Sequence, residues 1–411
     1  MTKKINFIFL ILVFVSIIVG VALQSSSQHW SGQWDLDFWY IYNASLMSSG
    51  YQQEWFDHPA TTILVFYSFL YKFYSILDSN FIYQFDQIVS SSDPDLILQK
   101  LYFVTRIIDS INLTLIIFFL FKILKSFLIK DIYAYVLILV LIISKTFLNN
   151  FSILNPEDWA VLFFLISFYF LIKFFKKKKL NYLFFSGTFF TFSFFAKISI
   201  LFLYIFIIAL IPLLFEIYIK ETNNKLIQMF KKYFNLLFGI YIITLLIYFF
   251  IQIFVFSKLA PFEKNVGLDA TIILFINFCY LLFFFVISKL KFEKLKIYFS
   301  LLLFFFIGFF GGIIFFIIID LLNIVNLNPY VLFHLTNPFN EMIRFTSLGS
   351  EGNLSTGALD FIFIIFSDFL FNKILFLILF FIFIFSIIVD FKNKQNFYFL
   401  FKFILFCCLL F

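Results

Sequence analysis

NPEDWAVLFFLISFYFLIKFFKKKK, Asn155 to Lys179, is the pattern on which the whole chain is built. From Trp159 to Phe175, 17 residues hold a single charge, Lys173. A run of that length is just enough for a helix to cross ~30 Å of hydrocarbon. Ahead of it, Pro156 suits a first helical position, and Glu157 and Asp158 complement the positive end of the helix dipole. Behind it, Lys176 to Lys179 stop the segment at a headgroup surface. The segment is a transmembrane helix with a polar acidic end and a basic end.

The rest of the chain repeats this design. Of its 411 residues 63% are hydrophobic and only 13% charged, a balance that excludes a soluble domain. Apolar runs fall at Ile5 to Leu23, Leu101 to Phe121, Ile132 to Ile143, Trp159 to Phe175, Tyr182 to Phe195, Ile198 to Phe215, Tyr233 to Phe254, Thr271 to Ile287, Ile297 to Leu322, Ile374 to Val389 and Phe397 to Phe411, which predicts about 11 spans. Backbone in lipid must pair internally, and no alternating, turn-punctuated barrel pattern is present. The expected fold is therefore an all-α polytopic membrane protein, one domain over residues 1–411 with no separate soluble domain. Cys279, Cys407 and Cys408 lie in apolar runs without disulfide or metal-ligand spacing. The 75 phenylalanines, in a chain rich in Ile, Lys and Asn, reflect an AT-rich coding bias and read as lipid-facing filler.

Charge gives the expected topology. With the amino terminus in the cytoplasm, the inner segments hold 21 of the 30 basic residues and five of the 23 acidic ones. The opposite arrangement would invert the positive-inside rule. The lysine runs are thus topogenic, and no nucleic-acid partner is expected. All three His, both Arg and all five Trp then fall on the outer side or its boundary. Two outer segments are long, 24–100 and 323–372, and long polar loops carry function more often than short basic connections do. The run from Ile5 to Leu23 reads as an uncleaved anchor in preference to a signal peptide, being long for a signal h-region. These features place the protein in a bacterial plasma membrane with its chemistry outside.

The first outer loop begins WDLDFWYIYNASLMSSGYQQEWFDHPA, Trp34 to Ala60. Asp35, Asp37, Glu54, Asp57 and His58 stand among Trp34, Trp39 and Trp55, a mixture suited to gripping a hydroxylated ligand and removing its proton. Phe38 to Met47 and Pro59 to Ile76 are too short or too polar to span, so both are expected to lie on the outer surface as helices. Asp35 and Asp37 open the first of these, where helix capping is the competing explanation. Asp57 could equally cap the second. Glu157 and Asp158 give the same outer region a second acidic edge, although one of them would suffice as a cap.

Cations supply the other half of the expected site. Lys197, in FFAKISILF, lies deepest in apolar sequence; it either snorkels to headgroups or meets a phosphate. Arg106 and Arg344 are the only arginines, and a retained guanidinium suits bidentate phosphate binding. Each also has an acid one helical turn away, Asp109 and Glu341, as an alternative partner. His334 accompanies Arg344 in the late loop. Gly311-Gly312 reads as close helix packing.

DLDFWYIYNA at Asp35 to Ala44, DHPATTILVFYSFLYKFYS at Asp57 to Ser75, Arg106, NPED at Asn155 to Asp158 and SGTFFTFSFFAKIS at Ser186 to Ser199 occur in that order over the first half of the chain. This series resembles the GT-C membrane glycosyltransferases, in particular the protein O-mannosyltransferase and aminoarabinose-transferase branch. Relatives in that branch often have a second proline where Ala60 follows Pro59. The resemblance implies transfer of a sugar from a polyprenyl-phosphate donor to a glycan, lipid or protein acceptor, probed at the outer face beside membrane lipids. It assigns Asp37, or Asp35, as base on the acceptor hydroxyl. Trp39, Asp57, His58, Glu157 and Asp158 would contact acceptor or sugar, and Lys197, Arg106, Arg344 and His334 the donor phosphate. A divalent cation, Mg or Mn, is compatible with the acids. Two other classes remain open on sequence: a multi-spanning transporter or lipid-linked-sugar flippase, and a polysaccharide ligase or polymerase.

Overall fold

A computed structural model describes residues 2–27, 29–32, 36–52, 54, 60–127, 156–177, 179–196 and 293–322, with positions 134–136, 138, 139, 142, 154, 239, 242, 243, 246, 324 and 325. The chain forms two compact units, Met1–Ala134 with Asn150–Ile343, and Tyr135–Asn149 with Arg344–Phe411. All the helices described below belong to the first unit. They are α1 (Thr2–Ser27), α2 (Leu36–Ser48), α3 (Thr61–Leu77), α4 (Phe85–Val89), α5 (Pro94–Phe127), α6 (Pro156–Lys177), α7 (Leu180–Ala196) and α8 (Glu293–Leu321). No strand occurs among the described residues.

Four helices are long and apolar enough to cross a membrane: α1, α5, α6 and α8. They coincide with four of the runs read from sequence. The run at Tyr182 to Phe195 forms α7, whose 17 residues fall short of that length. The other six expected spans lie outside the described residues or touch them only at isolated positions.

Contacts fix how these helices run. Phe9 of α1 meets Phe121 of α5 with ring centroids 6.3 Å apart, while Ser25 and Gln99 line one crevice at the other end, so α1 and α5 are antiparallel. Asp109 and Ser126 of α5 meet Trp159 and Lys176 of α6, so those two are parallel. Ser167 donates to the Ser186 carbonyl and Ser193 to that of Ala160, each at 2.6 Å, making α6 and α7 antiparallel. Thr188 donates to the Gly308 carbonyl at 3.0 Å and Thr191 to that of Phe309 at 2.7 Å, making α7 and α8 parallel. Thus α1, α7 and α8 run one way and α5 and α6 the other. Counting spans along the sequence demands the same alternation.

Glycine sets the α7–α8 contact. A Cβ on Gly187 would stand 2.0 Å from the Phe305 carbonyl oxygen, and one on Gly308 2.1 Å from that of Phe184. Gly312 faces the Thr191 side chain, where a Cβ would lie at 2.6 Å. Apolar lipid gives helices no hydrophobic reason to associate, so close backbone approach and interhelical hydrogen bonds hold such pairs.

Length separates α5 from the rest. Its 34 residues extend about 50 Å at ~1.5 Å per residue, well beyond a ~30 Å hydrocarbon layer. Trp159, near the start of α6, lies level with Asp109, so the turns of α5 before Asp109 rise past the start of α6. Asp93 caps this projecting piece by accepting the Leu96 N–H at 3.1 Å. Against it packs α3, with the Tyr71 hydroxyl 2.6 Å from that of Thr105. The opposite face of α3 exposes Phe66, Phe69, Phe73 and Ile76, an apolar stripe suited to the headgroup boundary. A helix of 17 residues thus stands where the sequence placed one.

Candidate functional site

The polar residues of α5 gather on the side that the bundle covers. Thr105, Arg106, Asp109, Ser110 and Asn112 are all buried. Helical spacing places these five along one side of α5. Arg106 is only 1% exposed, and none of its three guanidinium nitrogens has a hydrogen-bond partner among the described residues. The nearest compensation is the Tyr102 ring, whose centroid lies 6.0 Å from the guanidinium carbon. Both polar side-chain atoms of Asn112 are likewise without a partner. A buried cation left unpaired costs several kcal/mol. Such a residue has the character of a ligand group waiting for an anion.

The one-turn ion pair between Arg106 and Asp109 that their spacing suggests does not form among the described residues. Asp109 instead accepts the indole N–H of Trp159 at 3.1 Å, and the same N–H reaches the Tyr67 hydroxyl at 3.2 Å. The Trp159 ring is held by Phe66, with centroids 4.7 Å apart, and edge-on by Tyr67. One step further out, burial pushes the Tyr71 hydroxyl well above its usual range, so it stays protonated beside Thr105. The cluster therefore combines a cation, a carboxylate and neutral hydroxyls from α3, α5 and α6. Glu157 and Asp158 flank it in the first turn of α6, Asp158 buried and Glu157 half-buried.

The first loop is ordered around Asn43. Its amide donates to the Trp39 carbonyl at 2.9 Å and its oxygen accepts the Glu54 N–H at 2.8 Å. Tyr42 donates to the Glu54 carboxylate at 2.9 Å; burial, then that bond and the Glu54 charge, raise its hydroxyl pKa. Trp39 is half-buried and meets Tyr42 edge to face. Asp37 occupies the first turn of α2, as expected of it. Asp35, Asp57, His58, Lys197, His334 and Arg344 lie outside the described residues.

Of the residues singled out in the sequence, Arg106 lies on the helix that carries Asp109, and Glu157 and Asp158 precede the Trp159 that bonds it. Sequence reasoning missed Thr105, took Tyr67 and Tyr71 as interfacial residues where both are buried, and named Asp109 only as a neighbour of Arg106. An acid and an arginine inside one predicted span were the available signal. Among the described residues no three His, Cys, Asp or Glu side chains gather where a metal ion could be held. Comparison of the chain with protein-family models, curated proteins and solved structures gave no match.

Proposed function

We propose that the protein is a membrane glycosyltransferase that moves a sugar from a polyprenyl-phosphate donor to an acceptor hydroxyl. The observation that carries this reading is Arg106, a fully buried guanidinium with no hydrogen-bond partner among the described residues, on the same helix as the buried Asp109. A phosphate is the anion that such a planar donor fork fits best. The ordered series of GT-C-like motifs in the first half of the chain and the acidic, aromatic first loop support the same reading.

In the reaction, the Asp37 carboxylate takes the proton of the acceptor hydroxyl as its oxygen attacks the anomeric carbon. The bond from that carbon to the phosphate oxygen breaks, and its electron pair leaves with the polyprenyl phosphate. The configuration inverts. Arg106 stabilises the charge growing on the leaving phosphate, with Lys197, Arg344 and His334 as further cationic candidates. Trp39, Glu157, Asp158, Asp57 and His58 would hold the sugar and acceptor. The active site lies on the outer face of a bacterial plasma membrane, with the amino terminus in the cytoplasm.

Following radiolabelled polyprenyl-phosphate sugar with the purified protein in lipid tests the proposal. A transferase consumes the donor and labels an acceptor, whereas a flippase moves it intact. Asp37→Asn should lower transfer by about 10²-fold or more. Unchanged turnover in that variant would refute the assignment.

A further inference from the structure

A crevice of about 430 Å³ opens where the end of α1, the end of α3 and the projecting start of α5 meet. Its size falls within the ~300–1,000 Å³ of small-molecule sites. Its lining includes none of Arg106, Asp109, Tyr67 or Trp159.

The lining is chemically mixed. Lys100 and Asp78 both border the crevice, yet they form no ion pair, and the Lys100 ammonium bonds no described residue. Asp78 uses one carboxylate oxygen to accept the Asn80 N–H at 3.0 Å. Tyr74 and Phe103 each leave 38% of their surface exposed. At the inner wall the Ser25 hydroxyl is completely buried and has no hydrogen-bond partner. A phosphate would be repelled by the carboxylate, and a metal ion would need more than one acid. An apolar ligand would strand the ammonium and the Ser25 hydroxyl. What matches both rings and a set of separate donors and acceptors is a molecule with an apolar C–H face and a rim of hydroxyls, each able to donate and accept.

We infer that this crevice binds a saccharide of one or two rings, with Tyr74 and Phe103 against its C–H faces and Asp78, Lys100 and Ser25 on its hydroxyls. The inference does not need the transfer reaction. A protein that fails to consume a lipid-linked donor would still bind sugar here, and an active transferase could lack this site.

Saturation-transfer NMR on the intact protein in nanodiscs tests it, with glucose, mannose, N-acetylglucosamine and their common disaccharides as probes and glycerophosphoethanolamine as a zwitterionic headgroup probe. Saturable binding of at least one disaccharide is expected, weakened about tenfold by Asp78→Asn, which removes a charge-assisted hydrogen bond. Lys100→Ala, at an exposed position, should weaken it without changing the unfolding temperature. Tyr74→Ala should abolish the ring contacts in the saturation pattern. The inference is overturned if no saccharide in the panel binds saturably, if binding is the same in all three variants, or if glycerophosphoethanolamine binds in its place.

Discussion

The Trp159 indole N–H sits 3.1 Å from a carboxylate oxygen of Asp109, joining the first turn of α6 to the level of α5 at which the longer helix rises past it. The bond is buried on both sides. It ties the acidic start of one span to the polar stripe of another.

Trp159→Phe keeps the ring contact with Phe66 but removes the donor. Hydrogen bonds to charged groups contribute about 1.5–3 kcal/mol, so the variant should unfold at a clearly lower temperature in the same detergent. An unaltered unfolding temperature would mean that the bond contributes nothing.

Arg106→Met separates function from stability. Replacing an unpaired buried cation with an apolar side chain of similar length is expected to leave stability unchanged or raise it by about 1–4 kcal/mol. Transfer from the lipid-phosphate donor should fall by about 10²-fold or more in the same variant, by loss of a charge-stabilising donor. A drop in unfolding temperature would instead assign Arg106 a structural partner.

Gly308→Ala and Gly187→Ala should be poorly tolerated, because each new methyl would overlap a backbone carbonyl oxygen, at 2.1 and 2.0 Å. Overpacking of this kind costs about 1–3 kcal/mol or more. Gly20→Ala is the matched control: nothing lies within 4 Å of its Cβ, and alanine favours the helix by about 1 kcal/mol. Size-exclusion yield and thermal unfolding of the three variants should split two against one.

Tyr51 donates to both carboxylate oxygens of Asp86, at 2.9 and 2.8 Å, and that bond holds the phenol above its usual pKa. The folded protein therefore keeps this proton at pH values where the unfolded chain has lost it. Its contribution to stability is complete below about pH 10 and is lost as pH rises through the folded value. Carbon-13 NMR of labelled tyrosine should show Tyr51 titrating late, and Asp86→Asn should return it to about 10. An unshifted Tyr51 in the parent protein would contradict the contact.

The helices among the described residues were largely legible in the sequence. Phe38 to Met47 and Pro59 to Ile76 are realised as Leu36–Ser48 and Thr61–Leu77. The reading of Gly311-Gly312 as packing agrees with the contact at Gly312, although the tightest approaches involve the isolated Gly187 and Gly308. The span beginning at Leu101 was drawn too short, since hydropathy registers only the lipid-facing part of α5 and the polar turns from Pro94 are helical for reasons of capping and tertiary support. The Arg106 cluster was legible only in part. Its arginine is conspicuous by rarity, but the partner that claims Asp109 comes from 50 residues away, and no local spacing reveals it.

Backbone-to-backbone seating of α7 on α8 has a mechanical consequence. With threonine hydroxyls bonded across it and no side chain between the main chains at the glycines, that seam has no slack, and the two helices must tilt or shift as one stiff plank. Anything entering between the helices would have to part the bundle at some other seam. The thinly covered α1, whose outward residues from Ile8 to Leu23 stay open, is the wall with the least to lose by swinging aside.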